Sequence, residues 1–345
     1  MSEPSSTYKS AGVDIAAGEQ AVQSMKAHVR TTFNDLVLTD LGGFGGMMRF
    51  PGRDMVDPVL VSSIDGVGTK VKIASMMERY DTVGMDIVNH CVNDILVQGA
   101  MPMFFLDYFA TSKLRQEVIE NVVAGMSSAC REIGCVLIGG ETAEMPGVYL
   151  ENEFDIAGCI VGLLDRQNII DGSKVEAGDV VVGIASSGLH TNGYSLARKV
   201  LFEDAGLKAD QYVPELGAVL GEVLLVPHRC YLNPIKALMQ EFEIKAMAHI
   251  TGGGFYGNIP RALPSSCQVT VERRNWGVPP IFNLVQEKGN IDTIEMYRAF
   301  NMGIGMTLIV AREVGMLVAE KLNELGENAW IIGEVHKGGR EVTVI

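Results

Sequence analysis

The apolar residues recur at helical spacing in some segments and form short unbroken runs in others. Apolar positions three and four residues apart predict helices over Gly84–Val97 and Leu114–Ile133. Further helices are expected from about Tyr194 to Phe202 and over Glu313–Leu325. The short apolar runs predict the strands Val59–Ile64, Val136–Ile138, Val180–Ala185, Ala246–Ile250, Met306–Val310 and Trp330–Val335. Because strands and helices alternate in both halves, the sequence predicts a two-domain α+β protein.

Charged and turn-forming residues interrupt this pattern between residues 165 and 178. We therefore place one domain over residues 1–170 and a second over residues 171–345, which suits a chain of 345 residues. Residues 1–10 are rich in serine, and Leu41–Gly52 is rich in glycine. Both segments are expected to be mobile.

The composition argues against several classes of protein. Apolar residues make up 47% of the chain, and the formal net charge is −14. An acidic balance argues against nucleic-acid binding, which needs a basic face to neutralise phosphates. None of the six cysteines forms Cys-x-x-Cys, so no zinc site is expected. No apolar run approaches the ~20 residues that span a bilayer, and no signal segment is recognised, so a cytoplasmic location without a membrane partner is expected.

The segment Asp65–Lys70, with sequence Asp-Gly-Val-Gly-Thr-Lys, follows a predicted strand. Its acid can reach a cleft, the glycine at Gly68 allows a ligand to approach the backbone beside Thr69, and Lys70 could contact a phosphate. The Gly-Lys-Ser/Thr of a P-loop is absent. The alternative is a turn with a solvated lysine.

Further acids occur on a predicted helix and after a predicted strand. The stripe Asp86, His90, Asn93 and Asp94 lies on one side of the helix and contains no lysine or glutamate, which suits a hard cation such as Mg²⁺. A plain polar helix face is equally compatible with the stripe. The segment 139–147 adds Glu141 beside Gly140, and these carboxylates could meet over one metal–nucleotide complex. Its alternative is a glycine-rich surface turn.

Two loops of the second half also invite a functional interpretation. The loop 186–193 combines hydroxyl, amide and imidazole groups, a density that favours ligand binding over simple helix capping. The loop 249–258 matches Gly-x-Gly-x-x-Gly at Gly252, Gly254 and Gly257, with Glu272 twenty residues after the first glycine. Pro260 and Pro264 leave little room for a crossover helix, so a phosphate-binding loop explains the glycines better than a dinucleotide site.

Taken in order, these motifs resemble those of the AIR synthetase family. The resemblance covers nearly the whole chain and rests on the segments 8–14, 65–70, 93–102, 140–147, 187–195, 249–254 and 300–306. It implies ATP-dependent ring closure of formylglycinamidine ribonucleotide to aminoimidazole ribonucleotide, with Mg²⁺ and often K⁺. It also implies an amino-terminal and a carboxyl-terminal α+β domain, and a homodimer whose amino-terminal sheets form a central barrel. The nearest rivals are a kinase on the same fold and a nucleotide-binding regulatory module without catalysis.

From the motifs we expect four groups of site residues. Asp94 and His190 are the catalytic candidates, and Asp65, Asp94 and Glu141 are the metal candidates. The ATP candidates are Asp65, Gly68, Thr69, Lys70, Asp94, Gly140 and Glu141. The substrate candidates are Ser187, Gly188, His190, Thr191, Asn192, Gly252, Gly253, Gly254 and Asn258. The last four are expected to hold the 5′-phosphate of the substrate.

Overall fold

The computed structural model describes residues 15–345, so the serine-rich start and the 8–14 motif lie outside the described residues. Its helices are α1 (Ile15–Arg30), α2 (Val71–Met77), α3 (Asp81–Leu96), α4 (Gln116–Ile133), α5 (Tyr194–Arg198), α6 (Leu220–Leu224), α7 (Leu232–Leu238), α8 (Gly254–Asn258), α9 (Pro280–Gly289), α10 (Thr293–Ala299) and α11 (Arg312–Glu324). Its strands are β1 (Pro58–Gly66), β2 (Met101–Thr111), β3 (Val136–Glu144), β4 (Phe154–Asp165), β5 (Val180–Ala185), β6 (Tyr212–Val213), β7 (Ala218–Val219), β8 (Ala246–His249), β9 (Cys267–Val271), β10 (Ile304–Val310), β11 (Ala329–Lys337) and β12 (Val342–Val344).

The first half of the chain builds a four-stranded sheet in the order β1-β4-β2-β3. The helices α3 and α4 cover one face of this sheet and pack closely on each other. Glycines permit that approach, since a Cβ at Gly84 would lie 2.0 Å from the Val122 carbonyl oxygen, and one at Gly125 would lie 1.9 Å from that of Asp81. Both edges of the sheet, β1 and β3, lack a neighbouring strand among the described residues.

The second half builds a six-stranded sheet in the order β12-β9-β11-β5-β10-β8. The central strands β5 and β10 are buried along nearly their whole length, which explains their unbroken apolar runs. The helix α11 packs against β5 and β11. The two sheets lie on either side of residue 170, so the α+β prediction is confirmed, while the domain boundary itself stays a prediction.

Several predicted elements differ in extent or kind. The strand expected to end at Ile138 continues to Glu144, so Gly140 and Glu141 lie within β3 and not in a loop. The helix expected from Tyr194 to Phe202 changes after Arg198 into a wider π-helical turn. The strands β2 and β4 were not predicted, because proline, acids and glycines interrupt their apolar patterns.

The structure excludes the dinucleotide interpretation of the 249–258 glycines. The helix α8 that follows them has five residues, and β8 pairs only with β10, in the antiparallel direction. A dinucleotide fold needs a long crossover helix between parallel strands. In the part of the chain from residue 15 onward, no helix is long and apolar enough to cross a membrane.

Candidate functional site

A cleft of about 870 Å³ opens between the two sheets. On one side it is lined by β1 and the end of α3, which contribute Asp65 and Asp94. On the other side it is lined by β8 and the turn after α8, which contribute His249 and Arg261. The structure therefore brings together two of the predicted metal candidates at a boundary between domains, where ligand sites are frequent.

A hydrogen-bonded chain runs from Asp94 into the domain interface. His249 Nδ1 lies 2.8 Å from Asp94 Oδ1, and His249 Nε2 lies 2.9 Å from His228 Nε2. The other ring nitrogen of His228 lies 3.3 Å from Thr191 Oγ1. An acid of the first domain is thus tied to three polar residues of the second.

The same chain continues from Thr191 to Asp65. His90 Nδ1 lies 2.7 Å from Thr191 Oγ1, and His90 Nε2 lies 2.8 Å from Asp65 Oδ2. The second contact is an ion pair more than an aligned hydrogen bond, because the ring N–H does not point at the oxygen. Burial by itself lowers the pKa of His90, but Asp65 and Asp94 outweigh that effect and raise it.

The Asp94 carboxylate can only accept a hydrogen bond, which sets the direction of the whole chain when His228 and His249 are neutral. His90 then donates from Nδ1 to Thr191, whose hydroxyl donates to His228 Nδ1. His228 then donates from Nε2 to His249, and His249 donates from Nδ1 to the carboxylate of Asp94. Neutral rings at His228 and His249 agree with their pKa values, which burial lowers.

His190 lies beneath the wall of the cleft and does not line it, and its contact with the substrate stays a prediction. The residue is 1% exposed, and its ring stacks on that of His228 with 4.0 Å between centroids. Its Nε2 accepts a hydrogen bond from the Ser187 backbone N–H at 3.1 Å. The backbone of His190 has a left-handed φ of 63°. In this structure the side chain positions the His228 ring and does not reach the cleft.

Most of the rest of the 186–193 loop is engaged in contacts within the second domain. Ser187 Oγ donates to the Pro227 carbonyl at 2.6 Å, and the Gly188 carbonyl accepts hydrogen bonds from Ser186 and Asn301. These contacts engage Ser187 and Gly188 within the protein, and their contact with the substrate stays a prediction. Asn192 differs, because it is only half-buried and its Nδ2 has no hydrogen-bond partner.

Lys70 is also placed differently from the expectation. Its side chain is fully buried and pairs with Asp86, with 2.8 Å between Nζ and Oδ2, while Nζ also donates to the Val226 carbonyl. Burial lowers the pKa of Lys70 and raises that of Asp86, and the ion pair opposes both shifts. Lys70 therefore joins the domains and is not exposed to a phosphate.

The polar stripe of α3 divides into two parts. Asp86 Oδ1 accepts from the His228 backbone N–H at 2.7 Å, and Asn93 accepts from the Tyr231 N–H and donates to the Arg229 carbonyl. These residues bind the backbone of the second domain, as the polar-face alternative allowed. Only His90 and Asp94 of the stripe belong to the chain beneath the cleft. The turn before α2 makes a similar domain contact, since Thr69 Oγ1 lies 3.1 Å from Ser195 Oγ, and Gly68 beside it has φ 68°.

Gly140 and Glu141 lie at the opposite edge of the first sheet from Asp65. The strand register places Asp65, Gly158, Asp107 and Gly140 in one row across four strands. Three strand spacings amount to roughly 14 Å, so Glu141 cannot share an ion with Asp65 within one chain. Gly140 and Glu141 instead line a separate cavity of about 550 Å³ with Asp107, whose pKa burial raises to about 7.

Within the 249–258 loop, two of the four predicted phosphate ligands are structural. Asn258 Nδ2 donates to the carbonyl of Gly254 at 2.8 Å and to those of Thr251 and Gly252 at longer range. A Cβ at Gly254 would lie 2.0 Å from the Tyr297 carbonyl oxygen. Gly252 and Gly253 are exposed, so they remain the part of the loop that a ligand can approach.

Comparison with known proteins identifies the family to which the chain belongs. Residues 53–164 match the family model described as AIR synthase related protein, N-terminal domain, and residues 176–345 match the corresponding C-terminal domain. A protein of Alkaliphilus metalliredigens named phosphoribosylformylglycinamidine cyclo-ligase is 51% identical over 344 residues, covering 100% of this chain and 99% of the relative. A protein of the same name from Brevibacillus brevis is 53% identical, with 98% of each chain covered. The chain belongs to the AIR synthase family.

Solved structures of other proteins share the fold of this AIR synthase family member. Thiamine-monophosphate kinase from Stenotrophomonas maltophilia superposes with a TM-score of 0.67 at 16% identity, covering 94% of this chain and 95% of the kinase. The hydrogenase maturation protein HypE in complex with ATP gives a TM-score of 0.60 at 20% identity, covering 94% and 88%. At these identities the likeness establishes the architecture alone.

Two clusters in this family member contain side chains that can bind a metal ion. Each carboxylate oxygen of Asp65 and Asp94 has one close contact within the protein, and each keeps a second lone pair at a partly exposed position beside the cleft, so the pair fits Mg²⁺. His190, His228 and His249 also lie close together. The first two rings stack face to face, so their lone pairs cannot converge on one ion, and the three histidines do not fit a metal.

Three residues of the site were missed by sequence reasoning. His228 lies between a proline and an arginine, in a segment without glycine or strand signals. Asp107 is inside a strand that was not predicted, and Arg261 follows the glycine-rich loop at a proline. The signal that could have identified Arg261 is its position as the first positive charge after that loop.

Proposed function

We propose that this chain catalyses the ATP-dependent ring closure of formylglycinamidine ribonucleotide to aminoimidazole ribonucleotide. The observation that carries the proposal is 51% identity, over the whole chain, to a relative named for this reaction. The cleft supports it, because two carboxylates and a polar chain meet there between the domains. ADP and phosphate are the other products, and Mg²⁺ and K⁺ belong to the same proposal.

The chemistry has two steps. The γ-phosphoryl group of ATP passes to the formyl oxygen of the substrate, which makes that oxygen a good leaving group. The internal nitrogen then attacks the same carbon, loses a proton, and phosphate leaves. Both reacting groups belong to one substrate, so the second step has the advantage of an intramolecular reaction. The protein must position the two substrates and exclude water.

Asp65 and Asp94 would hold Mg²⁺ with the ATP phosphates, where the ion supplies charge neutralisation. The orientation of each carboxylate is fixed from behind. Asp94 is held by His249 at 2.8 Å and by Ser63 at 3.1 Å, and Asp65 is held by His90 at 2.8 Å. Polar contacts from neighbouring side chains to ligating carboxylates tune metal sites. The buried chain of imidazoles thus preorganises the two acids.

We further infer a homodimer in which two four-stranded sheets close into a barrel. The uncovered face of the sheet exposes Leu60 by 60% and Ile64 by 72%, with Tyr108 also exposed. Both sheet edges are unpaired nine-residue strands, which natural proteins rarely leave open. Closing a barrel would bring β1 of one copy beside β3 of the other. Glu141 of a second copy would then approach Asp65, completing the predicted set of three acids.

Complementation between variants tests this dimer. Asp94→Asn and Glu141→Gln are prepared separately, then mixed under conditions that exchange subunits. If the acids come from different copies, one of the two sites in each mixed dimer is intact, and activity returns to about a quarter of wild type at an equal mixture. Absence of recovery after demonstrated exchange, or a stable active monomer in sedimentation, contradicts the arrangement.

The reaction itself is tested with ATP, Mg²⁺ and formylglycinamidine ribonucleotide, with and without K⁺. The expected result is the aminoimidazole product with one ADP formed per ring. A kinase on the same fold would release a phosphorylated, uncyclised product. A regulatory module would bind nucleotide without forming ADP. Either outcome would overturn the proposed function.

A further inference from the structure

We propose that Arg261, which lines the same cleft as the two acids, binds the 5′-phosphate of the ribonucleotide substrate. The inference rests on the proposed function for the identity of the substrate. It adds a residue that neither the glycine motif nor the family match assigns to this role.

Arg261 differs in charge from everything else that lines the cleft. Among the described residues of the lining it alone carries a permanent positive charge, since the lining includes no lysine and no other arginine. No carboxylate forms an ion pair with Arg261 anywhere in residues 15–345. The guanidinium is exposed and remains free to bind a ligand.

The backbone beneath Arg261 is held in place from two directions. It lies in the short 3-10 turn Ile259–Ala262, which directly follows the loop tied down by Asn258. The linker between the domains presses on the same turn at Gly172, where a Cβ would lie 2.2 Å from the Ala262 carbonyl oxygen. An arginine on a fixed turn loses less conformational freedom when it binds than one on a mobile loop.

The charges that line the cleft distinguish the phosphates of ATP from the 5′-phosphate of the ribonucleotide. Asp65 and Asp94 repel a bare phosphate dianion, so the surroundings of these acids suit only phosphates that arrive with a divalent cation. The guanidinium fork matches a phosphate in two parallel hydrogen bonds and needs no cation. The other acid of the lining, Asp171, is engaged locally, since its carboxylate accepts the Ser173 N–H at 2.9 Å. A cleft of about 870 Å³ has room for both groups.

Calorimetry with two ligands tests this assignment without relying on turnover. Formylglycinamidine ribonucleotide and the matching ribonucleoside, which lacks the phosphate, are titrated into wild type and Arg261→Met. The variant is expected to bind the ribonucleotide on the order of 10- to 100-fold more weakly, the range of a charge-assisted hydrogen bond, and the ribonucleoside unchanged. Arg261→Lys is expected to recover part of the loss, because lysine keeps the charge without the fork.

Arg274→Met is the matched control, since Arg274 is an exposed arginine paired with Glu272 outside the cleft. It is expected to bind both ligands like wild type, and thermal melting confirms that each variant is folded. Equal loss for both ligands, or no loss for either, overturns the role of Arg261. The proposed function is judged separately by ring closure in wild type, so a failure of one does not imply a failure of the other.

Discussion

Two sets of polar residues at the domain interface have similar compositions but different surroundings. The first set, Lys70, Asp86 and Asn93, is buried, and its polar atoms bind the backbone of the second domain. The second set, Asp65 and Asp94, has its acids partly exposed at the cleft. Both sets include members of the same polar stripe on α3, where Asp86 lies about two turns before Asp94.

The comparison teaches that a stripe of acids and amides does not by itself identify a ligand site. What separates the two sets is whether the carboxylate stays accessible from the cleft beside the protein's own contacts, since the Asp86 side chain is 0% exposed and that of Asp94 is 24% exposed. Asp86 is enclosed with a lysine and a backbone N–H, whereas Asp94 keeps access to the cleft. We therefore expect substitutions in the first set to affect stability, and substitutions in the second to affect activity.

The largest effect is expected from Lys70→Met. The change removes the partner of a fully buried carboxylate, and an uncompensated buried charge costs about 3–5 kcal/mol. The free energy of unfolding, measured in urea, should fall by that amount. The double variant Lys70→Met/Asp86→Leu should recover part of the loss.

Lys72→Met is the control for that experiment. Lys72 lies two residues further along and pairs with Glu153 at a partly exposed position. Exposed ion pairs contribute about 0–1 kcal/mol, so this variant should remain close to wild type. If Lys70→Met is no less stable than Lys72→Met, the distinction between the two sets is wrong.

The second set is tested by Asp94→Asn, which removes a charge while keeping shape. The amide oxygen can still accept from His249, so the fold should persist. We expect kcat/KM to fall by about 10-fold or more and the Mg²⁺ requirement to rise, since an interaction with the transition state is lost. Asp81→Asn, at the exposed start of the same helix, should leave both quantities unchanged. Unchanged activity of Asp94→Asn across a Mg²⁺ titration excludes Asp94 from metal binding.

The sequence predicted the helix and the domains that carry both sets better than it predicted which residues belong to each set. Periodicity identified α3, and the order of motifs identified the two-domain fold, because both are local properties of the chain. Whether Lys70 reaches solvent or Asp86 depends on α3 docking against residues 226–231, which are more than 130 positions away. No local pattern encodes that packing.

Glu141 illustrates a second limit. Its motif correctly indicated a carboxylate beside glycines, but the strand order places β1 and β3 at opposite edges of the sheet. The sequence of one chain does not reveal the order of strands in a sheet. Neither motif indicates that a second copy closes the sheet into a barrel. The third acid of the site therefore remains a proposal that subunit exchange can test.

An intermediate effect is expected in the pH dependence of stability. Burial lowers the pKa of His190, His228 and His249, so these rings stay neutral in the folded state, while the unfolded chain binds protons near the ordinary value of about 6.5. Stability is therefore fully present above about pH 6.5 and falls as the pH drops, by up to about 1.4 kcal/mol per pH unit for each such histidine. His90, with its raised pKa, contributes in the opposite direction: its stabilisation is present at low pH and fades as the pH rises.

His190→Asn isolates one of these contributions. Asparagine tolerates the left-handed backbone of residue 190, and it does not titrate. The free energy of unfolding, measured in urea between pH 7.5 and 5, should change less steeply with pH than in wild type. The difference should equal about the contribution of one histidine. Parallel slopes would contradict a neutral, buried His190.

The smallest effect is expected from Gly253→Val, which tests the exposed part of the 249–258 loop. Gly253 has a left-handed φ of 94°, and a Cβ there would lie 3.3 Å from the Gly257 Cα. A valine should strain the backbone by about 1–2 kcal/mol and crowd the approach of the substrate phosphate, raising the substrate KM several-fold. The KM for ATP should change much less, because the proposed nucleotide acids belong to the other domain.

Gly326→Val provides a matched control, since Gly326 has a similar φ of 88° with open space around it at the end of α11. If strain alone mattered, both variants would behave alike. A raised substrate KM in Gly253→Val alone would assign the loop to the substrate, and an unchanged KM would leave phosphate binding to other parts of the cleft.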